Sequence, residues 1–208
     1  MRILVYGDSN VRGSVPTLDG YKKGYVWQKY DSSQCWWSNL ERKHGAKING
    51  LMGRCINSEN PWLEGRNATR TFDYEETYDL IFIMLGTNDC KSCYDYTAEQ
   101  ITGQMRRFVC LLQKKMPMAK IVVISPPKIR EDNPIAQKYY VSGEEKSLQL
   151  SQCLRQMARQ LKISFISGYG LDVGIDGEHL TEKGHKQLAQ KVEKFMDKNY
   201  NIEQDLQM

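Results

Sequence analysis

The sequence lacks the long apolar run that a membrane-spanning helix needs. None of its apolar segments approaches the roughly 18 residues that mark a candidate span. The chain begins with the strand-like MRILVYG, without the apolar region and small-residue cleavage site of a secretory signal. These absences predict a soluble cytoplasmic protein that makes no membrane contact.

A strong excess of one charge is also absent. The 29 Lys and Arg residues are nearly balanced by 25 Asp and Glu residues, which gives a formal net charge of +4. Nucleic-acid-binding domains concentrate basic residues on one face, whereas here they are spread along the chain. The composition therefore argues against a nucleic-acid partner.

Cysteine is too sparse for a disulfide-stabilised scaffold, since the 208 residues include only 6. Cys90 and Cys93 form a CxxC pair, a spacing found in redox centres and zinc sites. A zinc site would need two further ligands, and a redox CxxC normally opens a helix in a thioredoxin-like context. We therefore expect free thiols, no metal and no cofactor.

Short apolar segments alternate with amphipathic helical patterns along the chain. The pattern predicts strands over residues 2–6, 47–50, 80–85, 120–125 and 163–166. It also predicts four helices: one over 33–44, one that begins at Thr97, one that begins at Ser142, and one from about Thr181 to Lys198. Two of these starts resemble capping boxes, Thr97 with Gln100 and Ser142 with Glu145. The alternation predicts one α/β domain over 1–200 with a doubly wound parallel sheet, followed by a polar tail over 201–208.

Two long connections carry no clear regular pattern. Residues 7–32 and 56–78 are rich in aromatic side chains, which favours packed loops over disorder. Residues 126–141 are a candidate lid, with Tyr139 and Tyr140 near its end.

Polar turns follow the first three strands, where a doubly wound sheet binds its ligands. Ser9 lies in the turn GDSN, and its hydroxyl would project into the crevice. Asn88 lies in GTND and could donate its amide to an oxyanion, while Gly53 could offer a backbone N–H. Taken singly, each of these turns also suits an ordinary polar loop.

One of the 3 histidines is a candidate general base. His44 lies in the last turn of a predicted helix, where the helix dipole accounts for it, and His185 is expected to be a packing or surface residue. His179 follows Asp176 in DGEH, so that carboxylate could orient its imidazole. Asp172 is the rival orienting group.

The order of these motifs resembles the SGNH hydrolase superfamily, the GDSL-type esterases, over roughly residues 2–195. IFIMLGTND, VVISPP and GLMGR are similar to the arylesterase and acyltransferase branch. The resemblance implies a three-layer α/β/α sandwich with a flavodoxin-like, five-stranded parallel sheet and no cofactor. It also implies that Ser9 is the nucleophile, His179 the base and Asp176 its orienting carboxylate. The Ser9 N–H, the Gly53 N–H and the Asn88 side chain would form the oxyanion hole.

The resemblance predicts a serine esterase that hydrolyses, or transfers the acyl group of, short-acyl esters such as aryl or acetylated-sugar esters. Two alternatives stay open, namely a non-catalytic binding protein of the same fold and a lysophospholipase or thioesterase-type hydrolase. The expected partner is a small-molecule ester, and homo-oligomer formation is left open. The short segment GAKINGLMGR makes Gly53 the least secure assignment. Asn10 and Cys55 stand where relatives often carry Leu and Thr, a difference expected to alter pocket shape.

Overall fold

The computed structural model describes residues 1–22, 25–57 and 66–200. Within these ranges five strands form one sheet in the order β2-β1-β3-β4-β5, and every neighbouring pair is parallel. The strands are β1 (Ile3–Gly7), β2 (Lys47–Gly50), β3 (Leu80–Met84), β4 (Lys120–Ile124) and β5 (Ser164–Ile166). The predicted parallel α/β sheet is confirmed, while the tail over 201–208 lies outside the described residues.

Alternate side chains of the central strands point into two separate cores. Leu4, Tyr6 and Ile81 belong to one core, and Ile3, Val5 and Phe82 belong to the other. A strand that is covered on both faces consists of a nearly continuous run of apolar residues. For this reason β1 and β3 could be recognised from the sequence.

Helices cover both faces of the sheet. The described helices are α1 (Ser9–Arg12), α2 (Ser38–His44), α3 (Ala68–Thr71), α4 (Ala98–Lys115), α5 (Pro134–Tyr139), α6 (Gly143–Leu161) and α7 (Glu182–Tyr200). Side chains of α4 and α6 fill one core, and side chains of α2 and α7 fill the other. The arrangement is therefore a three-layer α/β/α sandwich. Among the described residues, none of the helices is both apolar and long enough for a membrane span.

The helix predicted over 33–44 is wrong in its first half. Residues Ser32–Gln34 form a short 3-10 turn capped by Asp31, the chain is extended at Cys35, and α2 begins only at Ser38. The interruption lets the Trp36 indole donate to the Asn10 carbonyl oxygen. Trp36 is buried, but it precedes the helix.

The two predicted capping boxes have different outcomes. At Thr97 the box is confirmed, because the Thr97 hydroxyl accepts the Gln100 N–H and the Gln100 side chain accepts the Thr97 N–H. At Ser142 it is wrong, since that residue is left-handed (φ 55°) and its side chain caps no N–H among the described residues. A capping serine needs extended backbone to reach the first turn, and here the chain reverses tightly between α5 and α6.

The long connections contain more regular structure than the sequence indicated. Residues 7–32 include α1 and residues 56–78 include α3, while the candidate lid over 126–141 includes α5. Tyr140, at the end of the candidate lid, is completely buried.

Candidate active site

Ser9 lies where the chain leaves the first strand. Asp8 caps α1 by accepting the Asn10 N–H at 2.9 Å, and Ser9 is the first residue of that helix. Gly7 allows the close approach of β3, because a Cβ atom at that position would lie 2.3 Å from the Met84 carbonyl oxygen. The turn holds the buried Ser9 hydroxyl oxygen 2.9 Å from Nε2 of His179.

His179 and Asp176 lie on the loop that precedes α7. The imidazole Nδ1 lies 2.8 Å from Oδ2 of Asp176. The same carboxylate accepts backbone N–H groups from Glu178, His179 and Thr17 at 2.9–3.2 Å. The structure thus joins Ser9, His179 and Asp176 in one continuous line of hydrogen bonds, although Ser9 and His179 are 170 residues apart in sequence.

The rival carboxylate and the other histidines have different surroundings. Asp172 accepts the Thr181 hydroxyl at 2.5 Å, so Asp176 is the carboxylate bonded to His179. His44 is exposed at the end of α2. His185 is buried, its Nδ1 accepts the Trp36 N–H at 3.3 Å, and burial lowers its pKa to about 4.

The charges around the two ionisable groups favour their charged forms. Burial alone would lower the pKa of His179, but the negative charges of Glu178, Asp176 and Asp8 raise it above the ordinary 6.5. Burial alone would raise the pKa of Asp176, but its bonds to His179 and to backbone N–H groups hold it below the ordinary 3.8. A base that becomes a cation during a reaction is stabilised by such surroundings.

Asn88 lies in a 3-10 turn, Asn88–Cys90, that follows β3. Its Nδ2 donates to the Arg54 carbonyl oxygen at 3.2 Å, and its Oδ1 accepts from the Lys91 ammonium at 3.0 Å. An amide nitrogen carries two hydrogens, so the second N–H is available to another acceptor.

Gly53 lies in the turn after β2 and adopts φ +69°, a left-handed conformation that favours glycine. The short connection reaches this place because the buried Arg54 side chain anchors the turn. Its guanidinium donates to the carbonyl oxygens of Gly7 and Asn49 at 2.8 and 2.7 Å. Gly53, the least secure position in the sequence, therefore lies in the same cavity as Ser9 and Asn88.

That cavity encloses about 190 Å³. Its lining residues are Ser9, Gly20, Trp27, Met52, Gly53, Arg66, Asn88, Lys91, Glu178 and His179. The Trp27 ring contacts the His179 imidazole at a tilt of 60°, with ring centroids 4.9 Å apart. Cavities that enclose drug-sized ligands measure roughly 300–1,000 Å³, so this one suits a small group.

Three further residues, Asn10, Glu178 and Tyr140, shape the site through contacts that the sequence interpretation did not assign to them. The Asn10 side chain bonds the residues on both sides of His179. Its Nδ2 donates to the Glu178 carbonyl oxygen at 3.2 Å, and its Oδ1 accepts the Leu180 N–H at 2.9 Å. The Glu178 carboxylate is buried in the cavity wall and accepts the Tyr140 hydroxyl. The available signal was that Asn10 directly follows Ser9 and that Glu178 directly precedes His179.

The six cysteines, all in described parts of the chain, are free. Cys90 is buried and Cys93 is exposed, and burial raises the pKa of the Cys90 thiol far above its ordinary range. Among the described residues, no group of three or more His, Cys, Asp or Glu side chains is arranged to hold a metal ion.

The profile of the GDSL-like lipase/acylhydrolase family matches residues 5–187. Among solved structures, the chain is similar to a carbohydrate acetylesterase from Sinorhizobium meliloti at 24% identity and a TM-score of 0.82, covering 96% of this chain and 100% of the other. It is also similar to the inhibitor-bound aryl esterase of M. smegmatis at 26% identity and a TM-score of 0.84, covering 95% and 98%. No curated protein sequence matches the chain. Since the family profile spans most of the chain and both neighbours share the whole fold, the chain belongs to the GDSL-like lipase/acylhydrolase family and is a carboxylic ester hydrolase.

Proposed function

We propose that this protein is a serine esterase that cleaves short-acyl esters through an acyl-enzyme formed on Ser9. The observation that carries the proposal is the unbroken line of hydrogen bonds from Ser9 through His179 to Asp176. Its two links measure 2.9 and 2.8 Å. This is the geometry in which a base can take the proton of a nucleophile while a carboxylate holds the tautomer.

In the first half-reaction the Ser9 Oγ attacks the ester carbonyl carbon while His179 Nε2 takes the hydroxyl proton. The Asp176 carboxylate accepts a hydrogen bond from the Nδ1–H of His179 and stabilises the imidazolium. The oxygen of the tetrahedral intermediate accepts hydrogen bonds from the second N–H of Asn88, the Gly53 N–H and the Ser9 N–H. As the first residue of α1, Ser9 has no acceptor for its N–H within that helix.

Collapse of the intermediate breaks the ester C–O bond, and His179 returns its proton to the departing alcohol. Water then attacks the acyl group on Ser9 with His179 again as the base. The second collapse releases the carboxylic acid and restores the Ser9 hydroxyl. Each proton therefore moves through one imidazole nitrogen that the fold already holds against Ser9.

The size of the cavity favours a short acyl group. The volume of about 190 Å³ beside Ser9 is matched by an acetyl or propionyl group together with the reacting bond. The names of the similar structures, a carbohydrate acetylesterase and an aryl esterase, also support a short-acyl ester substrate. Sugar acetates and aryl acetates are therefore the substrates we propose, in preference to lysophospholipids or long acyl thioesters.

The test is a series of p-nitrophenyl esters from acetate to decanoate, together with acetylated sugars. We expect the highest kcat/KM at acetate to butyrate. Ser9→Ala should lower kcat by on the order of a million-fold, whereas Ser32→Ala, which truncates an exposed serine, should leave it unchanged. Equal activity of the wild type and Ser9→Ala, or an optimum at decanoate, would contradict the proposal.

A further inference from the structure

Lys91 directly follows the short turn that carries Asn88, and its side chain folds back over that turn. The backbone N–H of Lys91 donates to the Asn88 carbonyl oxygen at 3.1 Å. The side-chain ammonium lies 3.0 Å from the Asn88 Oδ1. Lys91 also lines the cavity that contains Ser9, and it takes no part in the proton transfers described above.

The two partners of the Asn88 amide determine which way it points. A lysine ammonium can only donate hydrogen bonds, and a backbone carbonyl can only accept them. The oxygen of the amide must therefore face Lys91, and its nitrogen must face the Arg54 carbonyl, at 3.2 Å. With one N–H used by Arg54, the other is the one that can meet the substrate.

The Arg54 carbonyl oxygen, the other partner of the Asn88 amide, is held in place independently of Lys91. The buried Arg54 guanidinium donates to the Gly7 and Asn49 carbonyl oxygens, and the Arg54 N–H donates to the Leu51 carbonyl oxygen at 3.2 Å. Lys91 is therefore the partner whose removal frees one end of the amide while the other end stays in place. A charged donor also polarises the amide and strengthens the N–H at its opposite end.

We propose that Lys91 is a positioning residue of the oxyanion hole, which acts through Asn88 by holding and polarising its amide so that the second N–H meets the substrate oxyanion. The inference rests on the proposed function, in which Asn88 is an oxyanion donor. A residue that acts in this way lowers the barrier to chemistry and contributes little to ground-state binding, so it should affect kcat far more than KM.

The first test compares Lys91→Met with the wild type on p-nitrophenyl acetate. We expect kcat to fall about 10- to 100-fold, short of the roughly 100- to 1000-fold effect of losing a donor outright. KM should change less than about threefold. Lys91→Arg, which keeps a charged donor, should recover much of the lost kcat.

Lys146→Met is the matched control. The Lys146 ammonium contacts the same turn, at 3.5 Å from the Cys90 carbonyl oxygen, but Lys146 does not line the cavity with Ser9. Its loss should leave kcat within about twofold of the wild type, the usual size of an independent surface effect.

The decisive test is a double-variant cycle with Asn88→Ala. If Lys91 acts through Asn88, Lys91→Met should change kcat less than about threefold in the Asn88→Ala background, because the group it positions has gone. Equal losses in the two backgrounds would overturn the inference. So would an unchanged kcat for Lys91→Met, or a raised KM with constant kcat, which would mean that Lys91 only binds substrate.

The outcomes also separate this inference from the proposed function. A wild-type protein inactive on every ester would contradict the proposed function, whereas an active wild type with an unaffected Lys91→Met would contradict only the role of Lys91. Thermal unfolding checks that each variant is folded at the assay temperature. If Lys91→Met fails this check, Lys91→Leu, which likewise has no donor for the Asn88 amide oxygen, takes its place in the cycle with the same expectations.

Discussion

Asn10→Ala should weaken both the stability and the activity of this protein. The Asn10 side chain is buried and holds the chain on both sides of His179, through the Glu178 carbonyl oxygen at 3.2 Å and the Leu180 N–H at 2.9 Å. Alanine keeps the backbone of α1 but removes both bonds. The Glu178 carbonyl and the Leu180 N–H would then be buried without these partners.

The size of the effect follows from the number of groups left unpaired. Each buried polar group that loses its partner costs about 1–3 kcal/mol, so two such groups cost roughly 2–6 kcal/mol. A loss of about 3 kcal/mol lowers the Tm of a protein of this size by roughly 6–12 °C. Release of the loop also shifts the imidazole, and a displacement of about 1 Å can cost on the order of 100-fold in rate.

The assay combines thermal unfolding with kcat for p-nitrophenyl acetate at a temperature where the variant is fully folded. Asn199→Ala is the control, because the Asn199 side chain is exposed and donates locally, at 2.7 Å to the Phe195 carbonyl oxygen four residues earlier in the same helix. A Tm within about 2 °C of the wild type, together with an unchanged kcat, would refute the reasoning, since two unpaired buried groups cannot cost so little.

Further predictions concern the base, its two neighbouring carboxylates and the oxyanion donor. Neighbouring negative charges raise the pKa of His179, and the protonated imidazole cannot act as a base. In the pH profile of kcat/KM, the fall in activity on the acidic side should therefore have its midpoint above pH 6.5. Glu178→Gln should move that midpoint to lower pH, because the ionised Glu178 carboxylate favours the imidazolium and glutamine carries no charge; an unmoved midpoint would remove Glu178 from this role. Asp176→Asn should fold and lose on the order of 10,000-fold in kcat, because an amide in its place favours the wrong tautomer, and a loss below tenfold would argue against Asp176. Asn88→Ala should lower kcat by roughly 100- to 1000-fold, and a kcat near that of the wild type would exclude Asn88 as an oxyanion donor.

The elements that could be predicted from sequence are those with local signals. The strands β1 and β3 are continuous apolar runs because both of their faces are buried, and the turns that follow them carry Ser9 and Asn88. Asp176 and His179 are three residues apart, so one turn is enough to bring them together. Parallel pairing of adjacent strands then places Ser9, Gly53 and Asn88 at one edge of the sheet.

The features that could not be predicted depend on partners distant in sequence. The hydrogen bonds of the Asn10 side chain reach Glu178 and Leu180, which lie 168 and 170 positions further along the chain. The bond between Glu178 and Tyr140 joins residues that are 38 positions apart. Neither pair has a spacing that marks it. Similarly, the interruption before α2 places Trp36 against the Asn10 carbonyl oxygen, and the left-handed Ser142 closes a reversal that propensity alone does not reveal.

The most direct test of the central claim is covalent labelling with diethyl p-nitrophenyl phosphate, followed by intact-protein mass measurement and peptide mapping. Attack by the Ser9 Oγ on phosphorus releases p-nitrophenolate and leaves a diethylphosphoryl group that does not turn over readily. We predict one group per chain, located on Ser9, absent in Ser9→Ala and formed much more slowly in His179→Ala. Labelling of another residue, or ester hydrolysis that continues when Ser9 is fully modified, would contradict the account.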